Sequence, residues 1–390
     1  MPRKTRTRKA TMAPESIPEE DPAENRTKKV QNTDKTQILP ESAPGSHSSV
    51  RTIQNNKLQS TEKTIVRGAV SCNYEFDYVP GSSYFNGRIV YGNGTAKDVS
   101  AVPVEQANGN IIFDACTRNN LNGEGLLLPH HYIYCREISK YVICYDRFSC
   151  SLEEWLLGWI DHVKDQNGLP HQVIRKQISK MLKSVNNIHK KRLWHSALSD
   201  ISNYVVIDGD WYIINIKGTI DKENRDLCVF RDFRDFRDML EKNVLLDKLW
   251  LERNGFFQLF DLSYRGQLVE KLLNNVFTKS PQERLLMFST IYHGWMDRSH
   301  NHSMLSDAIS NGKFNQYTDG GWNNVTMSRA LLGVYNYENN QKRYDGKRIW
   351  SLIKFLRNVY EHYHDGDVQL IEGEVRQLWA GLLEKLYLYY

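Results

Sequence analysis

The chain has 390 residues, with 51 Lys and Arg against 46 Asp and Glu, and none of its 44 aromatic residues precedes Tyr74. No run approaches the 18 apolar residues a membrane span needs. The opening Met1-Pro2-Arg3-Lys4 leads into no secretory signal, and six cysteines (Cys72, Cys116, Cys135, Cys144, Cys150, Cys228) have neither C-x-x-C nor zinc spacing, so a reducing compartment, cytoplasm or nucleus, is expected.

Residues 1–66 carry 12 basic and 8 acidic groups and six of the eleven prolines, so most of the net +5 lies there. Without aromatics the segment cannot bury enough apolar area to offset its chain entropy and reads as a disordered tail. Its head, Pro2 to Lys9, has the composition of a nuclear address or an RNA-attracting arm, and a solubilising tail is the plainer reading. The remaining 39 basic and 38 acidic residues nearly cancel. Bulk charge therefore does not bind nucleic acid, and any RNA chemistry needs a local site.

From 67 to 150 the pattern is strand-like. Gly87–Tyr91 runs into a Gly92-Asn93-Gly94 turn, and Tyr132–Cys135 and Tyr141–Tyr145 read as paired strands. Helical periodicity follows in Leu152, Trp155, Leu156 and Trp159, then in Ile174, Ile178, Met181, Leu182, Val185 and Ile188. Tyr204–Ile207 and Trp211–Ile214 flank an Asp208-Gly209 hairpin turn, and the rest reads as helical.

This order, with Ile188-His189-Lys190-Lys191-Arg192-Leu193-Trp194-His195 before the hairpin, resembles the two lobes of a protein kinase over about residues 84–270. Phosphoryl transfer needs a Gly-rich loop, a strand Lys, a catalytic-loop Asp, and an Asn and Asp for Mg²⁺. Here Gly92-x-Gly94 continues to Lys97 where a third Gly is expected, and Pro103 falls at the lysine position. Ala197 stands where the base should be, Asn203 fits only with one residue inserted, and Asn215-Ile216-Lys217-Gly218 replaces the metal-binding Asp segment. The resemblance thus implies a pseudokinase without kinase activity. Mg·ATP or ADP is expected to bind weakly or not at all, although a nucleotide could still sit between the lobes as a structural ligand. The Phe230–Asp238 repeat of Phe, Arg and Asp reads as a charge-laced helix over a core stripe, with a partner-docking helix as the alternative.

Ser280-Pro281-Gln282-Glu283 is a capping box with Pro at the first helical position, launching an amphipathic helix through Leu285, Leu286, Phe288 and Ile291. Farther on, at about 100° per residue, Ile349, Leu352, Ile353, Leu356, Val359, Tyr360 and Tyr363 cover one face of a helix. Asn358 and His362 then lie about 40° apart on the opposite face, with Arg357 at its flank and Tyr344 arriving from the preceding loop. A cation, an amide, an imidazole and a phenol are the parts needed to cleave RNA without a metal. The 2′-OH must lose a proton, the 5′-oxygen must gain one, and the phosphorane needs positive charge. On spacing alone the constellation is weak, since Arg, Asn and His on the exposed face of a helix are more often solvated surface.

Placed after a kinase-like fold, residues 273–390 resemble the kinase-extension nuclease (KEN) domain of the unfolded-protein-response endoribonuclease and of RNase L. The matching features are the Ser280–Phe288 helix start, Trp322 before a helix, Arg343-Tyr344-Asp345-Gly346, and Phe355–Tyr363, which parallels an R-N-x-x-H-H-Y pattern. Glu361 replaces the first of the paired histidines, and the stretch beyond 364 matches loosely.

The resemblance implies an α+β chain: a disordered tail (1–66), a degenerate bilobal kinase-like domain (67–272) and an all-α KEN endoribonuclease domain (273–390). It also implies cleavage to a 2′,3′-cyclic phosphate and a 5′-OH end, no cofactor or metal for that chemistry, and a homodimer. Tyr344 would assist proton removal, His362 protonate the leaving oxygen, and Arg357 and Asn358 hold the phosphate, the acid and base roles being exchangeable. The expected partners are RNA, a second copy, and a regulatory protein reaching the kinase-like domain or the tail, with no membrane. The alternative is a scaffold that dimerises without cutting RNA.

Overall fold

The protein's structure, a computed structural model, describes residues 56–59, 72–118, 121, 123–159, 169–220, 222–246, 250, 252–261, 266–297, 302–337, 344–362 and 367–390. The basic head at Pro2–Lys9, Arg343 and Tyr363 lie outside the described residues. Within the segment read as a disordered tail, Asn56–Gln59 is an edge strand, β1, which pairs antiparallel with Glu75–Tyr78. The correction has a backbone cause. An exposed sheet edge offers unpaired N–H and C=O groups, and these pair with a neighbouring segment whatever its aromatic content.

β2 (Cys72–Tyr78), β3 (Phe85–Tyr91), β4 (Ala96–Val104), β5 (His131–Cys135) and β6 (Lys140–Asp146) complete a curled antiparallel sheet in the order β1-β2-β3-β4-β6-β5. Two-residue alternation turns Cys72, Tyr74 and Phe76 inward against Phe85, Ile89 and Val99. Inside the segment read as all strand, Gln106–Arg118 forms a helix, α1. It buries Ile112, Phe113, Ala115 and Cys116, a three- and four-residue spacing that Gly109 and two asparagines obscure in the sequence.

After β6, a short strand β7 (Cys150–Ser151) leads into α2 (Leu152–Leu157), where Ser151 and Glu154 form a capping box. α3 (Gln172–Lys190) buries all six of its periodic residues, Ile174 to Ile188. β8 (Leu193–Trp194), β9 (Tyr204–Ile207), β10 (Asp210–Ile213) and β11 (Gly218–Thr219) form two small sheets. Asp208 and Gly209, both with positive φ, make the tight turn between β9 and β10.

In α4 (Arg225–Met239) the Phe-Arg-Asp repeat buries Phe233 and Phe236 as expected. Asp232, expected on the surface, is fully buried. Its carboxylate accepts from the backbone N–H of His195 and Ser196 at 2.7 and 2.9 Å and meets His189 Nε2 at 2.9 Å. A buried carboxylate with three partners is an anchor for the 195–196 loop rather than a solvated charge.

The remaining helices are α5 (Arg253–Asp261), α6 (Gly266–Leu273), α7 (Pro281–Met296), α8 (His302–Ser310), α9 (Asn315–Thr318), α10 (Arg329–Asn336), α11 (Ile349–His362), α12 (Val368–Leu378) and α13 (Leu382–Tyr389). Ser280 caps α7 reciprocally with Glu283, and Pro281 opens it, as the motif predicts. Of the four apolar residues assigned to its buried stripe, Leu286 is exposed and the other three are buried. Arg284 is buried in its neighbourhood instead, among Glu252, Glu372 and Glu384. α7 packs along α11, and a separate core runs from Val276 to Leu386 through α7, α10, α11, α12 and α13. Among the described residues no helix is long and apolar enough to cross a membrane.

Candidate active site on the C-terminal helices

The stripe expected on α11 is present, with Ile349, Leu352, Ile353, Leu356 and Val359 all buried. The opposite face differs from expectation because Phe355, three residues before Asn358, is fully buried as well. Its ring packs on Trp322 (5.4 Å between centroids), Tyr344 (5.5 Å), Tyr335 (5.9 Å) and Trp379 (5.9 Å). The side of α11 that carries Asn358 is therefore roofed by aromatics. Such ring pairs each add about 0.5–1.5 kcal/mol beyond area burial.

That aromatic cluster places Tyr344. The loop Tyr344-Asp345-Gly346 lies on the Trp322–Asn323 segment: Trp322 Nε1–H donates to Asp345 O at 2.9 Å, and Trp322 N–H donates to Gly346 O at 2.9 Å. Gly346 is required by close approach, since a Cβ there would collide with Asn323 Oδ1. Asn323 in turn donates to the Tyr335 hydroxyl at 3.0 Å, and the Tyr335 ring stacks on Tyr344. Tyr344 is 5% exposed.

Three of the four expected residues are directly linked. Asn358 Nδ2 donates to the Tyr344 hydroxyl oxygen at 2.7 Å, and Arg357 Nη1 donates to Asn358 Oδ1 at 2.7 Å. The amide thus holds the cation at one end and the phenol at the other. His362 lies one turn beyond Asn358 in the last turn of α11, is exposed, and stacks its imidazole on Tyr337 at 5.4 Å. The helix carries it to the same side as Asn358.

Reading the sequence missed what α7 contributes. Tyr292 lies under the Arg357 guanidinium at 5.5 Å, and His293 Nε2 lies 3.7 Å from Glu361 Oε1. Glu361 Oε1 also lies 2.8 Å from Arg357 Nε. The Tyr292 and His293 contacts join residues more than 60 positions apart through helix pairing, for which local spacing carries no signal, whereas Arg357 and Glu361 are an i,i+4 pair on one helix.

The space between the sheet and the first helices holds packed side chains. Val102, Ile143, Tyr145, Phe148, Val205 and Ile214 form one buried cluster across it. Tyr145 donates to Asn215 Oδ1 at 2.8 Å, and Asn215 Nδ2 donates to Asn203 Oδ1 at 3.0 Å. Asn203 Nδ2 donates to Ala197 O at 2.8 Å. Positions expected to hold a catalytic carboxylate and Mg²⁺ ligands are thus satisfied by amides, a phenol and a carbonyl. The Gly92–Gly94 turn closes the β3–β4 hairpin. The preceding β2–β3 turn is the one that reaches that space, where Tyr84 packs on Phe148 at 4.7 Å and donates to Glu154 at 3.1 Å. Burial lowers the pKa of His195, which bonds to Ile214 O through Nε2 at 2.6 Å. Among the described residues no cluster of three or more His, Cys, Asp or Glu could hold a metal, and all six cysteines are free thiols.

Residues 296–390 match the family model described as Ribonuclease 2-5A. The matched stretch begins at the last residue of α7, takes in α8 to α13, and contains Tyr344, Arg357, Asn358 and His362. It supports a KEN-type ribonuclease domain at the C-terminal end of the described chain, with endoribonuclease function at the level of that family. No curated protein matches the chain.

Proposed function

We propose that this protein is an endoribonuclease whose chemistry is carried by Tyr344, Arg357, Asn358 and His362. The observation that carries the reading is the Arg357–Asn358–Tyr344 hydrogen-bonded chain, one helical turn from His362, inside the segment matching the ribonuclease family. Attack of a ribose 2′-OH on the adjacent phosphorus forms the new P–O bond and breaks the bond to the 5′-oxygen, leaving a 2′,3′-cyclic phosphate and a 5′-OH end. Tyr344 assists removal of the 2′-OH proton, and His362 donates a proton to the departing 5′-oxygen. Arg357 and Asn358 stabilise the charge that grows on the phosphorane oxygens. Protonation state and positive charge come from side chains in this scheme, so cleavage proceeds without a metal ion.

The kinase-like part serves in this reading as a scaffold without phosphoryl transfer, because Ala197 cannot act as a base and the segment Asn215-Ile216-Lys217-Gly218 offers no metal-binding carboxylate. Nucleotide binds there weakly or not at all. A homodimer is the expected active form, in the cytoplasm or nucleus, with the tail or kinase-like surface open to a regulatory protein. The test is cleavage of a stem-loop RNA by purified protein in EDTA, across a protein dilution series. Wild type should cut with steep concentration dependence, and His362→Ala should abolish cutting; equal activity in that variant would sink the assignment.

A second reading, a scaffold that binds RNA without cutting it, is favoured by one observation: Glu361 lies against the guanidinium that the phosphate would need. It wins if wild type binds the stem-loop RNA and leaves it intact across the whole dilution series.

A further inference from the structure

Arg357 is engaged on three sides. Its Nη1 donates to Asn358, its face lies over Tyr292, and its Nε lies 2.8 Å from Glu361 Oε1. The Nε contact is incomplete: that N–H is buried and finds no aligned hydrogen-bond acceptor among the described residues. Glu361 supplies opposite charge at short range without the directed hydrogen bond that normally strengthens such a pair. A buried guanidinium N–H without an aligned acceptor, facing a misaligned carboxylate, suits an anion that approaches in the plane of the guanidinium. A phosphodiester oxygen has that geometry and charge.

Glu361 also has somewhere to go. His293 Nε2, on α7, lies 3.7 Å from the same carboxylate oxygen. The carboxylate therefore sits between the Arg357 guanidinium and the His293 imidazole, on two helices, and can leave the first to accept a hydrogen bond from the second.

We propose that Glu361 occupies the phosphate position on Arg357 in the RNA-free protein, and that RNA binding displaces it towards His293. Resting on the ribonuclease reading, this makes Glu361 a specificity-determining gate. Only a ligand that offers a phosphate at the right place competes with a carboxylate already tethered one helical turn away. Weakly or wrongly placed RNA is left unbound at Arg357. The gate involves no covalent step, and the only change is which anion neutralises the guanidinium.

Displacement has a signature that simple positioning lacks. In the wild type Arg357 is already neutralised, so its phosphate contact releases no counterion from the RNA on balance. With Glu361→Gln that contact behaves as an ordinary Arg–phosphate pair, which for single strands adds about 0.7 to the magnitude of the log–log salt slope. The probe is a fluorescent stem-loop RNA with 2′-O-methyl riboses, which cannot be cut, titrated by anisotropy between about 50 and 200 mM salt, over which the Debye length falls about twofold. Glu361→Gln should bind several-fold tighter than wild type at the lowest salt, with the steeper slope. Adding Arg357→Met should remove both the gain and the slope change.

Cleavage of the unmodified RNA by wild type is measured alongside. If wild type cleaves and Glu361→Gln binds no tighter, or more weakly, Glu361 merely orients Arg357 and the gate is overturned while the ribonuclease reading stands. If wild type binds without cleaving and Glu361→Gln binds tighter with the steeper slope, the gate stands and catalysis falls. If neither protein binds nor cleaves, both fall.

Discussion

Asn358 donates its side-chain amide to the Tyr344 hydroxyl, 2.7 Å away across fourteen residues of chain, while its carbonyl oxygen accepts from the neighbouring Arg357. One planar group thereby links a phenol and a cation.

Asn358→Ala should therefore remove two alignments at once. The expected result is a fall in kcat on stem-loop RNA of about 10²–10³-fold, the usual size for loss of one preorganised donor. KM should change little, because Arg357 keeps its charge. Thermal unfolding should move by only a few degrees, since Asn358 is partly exposed and Phe355 holds that face of the helix. A kcat within threefold of wild type would reduce Asn358 to a spacer.

Gly346→Ala tests how the Tyr344 loop is placed. The added Cβ would meet Asn323 Oδ1, so the Asn323 amide must turn and give up its bond to Tyr335. Because the obstacle is a side-chain tip rather than backbone, the cost should be about 1 kcal/mol of stability. Activity should fall further, about tenfold, as Tyr344 shifts relative to Asn358. Circular dichroism with kinetics separates the two, and unchanged kinetics would mean that the loop position is held by Trp322 alone.

Much of this site is legible from one helix and one loop. The stripe of Ile349, Leu352, Ile353, Leu356 and Val359 follows from a 3.6-residue period, and Asn358 and His362 fall together for the same reason. Phe355 breaks the scheme because burial on that side depends on Trp322, Tyr335 and Trp379 arriving from other segments. Asp232 and Arg284 fail the same way. Charge predicts exposure only when no buried partner exists, and those partners lie 36 to 43 and 32 to 100 residues away. The contacts of His293 and Tyr292 require knowing that α7 lies along α11. The helix α1 was hidden for a local reason, its Gly and Asn content, which tertiary packing overrides.

Packing of this kind between sheet and helices predicts indifference to nucleotide. Tyr145 is fully buried, and burial raises its phenol well above the usual range, so it remains a neutral donor to Asn215. Millimolar Mg·ATP should leave the melting temperature unchanged, whereas a ligand at 100 times its Kd would add about 2.7 kcal/mol. Tyr145→Ala should open a cavity and cost about 3–5 kcal/mol, the range for truncating a large buried aromatic. A wild-type shift of several degrees with Mg·ATP would show that the side chains move aside.

Arg284 ties the two helical cores together. Its guanidinium meets both Glu252 oxygens and lies 2.6 Å from Glu372 and 3.2 Å from Glu384, with Arg376 4.0 Å from Glu372. Two guanidiniums thus face three carboxyl groups, and one of these keeps its proton. Burial, then the Glu252 charge, raises Glu384 to about 8, whereas at Glu252 burial is opposed by the Arg284 charge, hydrogen bonds from Glu384 and Arg284, and the Arg376 charge, which together hold it below the ordinary range. The signs differ. Glu252 contributes stability that is present above its unfolded pKa and lost as pH falls into the acid range. Glu384 binds its proton more tightly in the folded state, so stability falls as pH rises from about 4.5 towards 8. Glu384→Gln keeps the shape and cannot ionise. It should match wild type near pH 5 and melt several degrees higher at pH 8. Arg284→Met leaves Glu252 buried without its cation and should cost about 3–5 kcal/mol at neutral pH. Melting curves of the three proteins from pH 5 to 8 decide the point: parallel curves for wild type and Glu384→Gln would mean that Glu384 is ionised throughout, and that Arg376 compensates the third carboxylate.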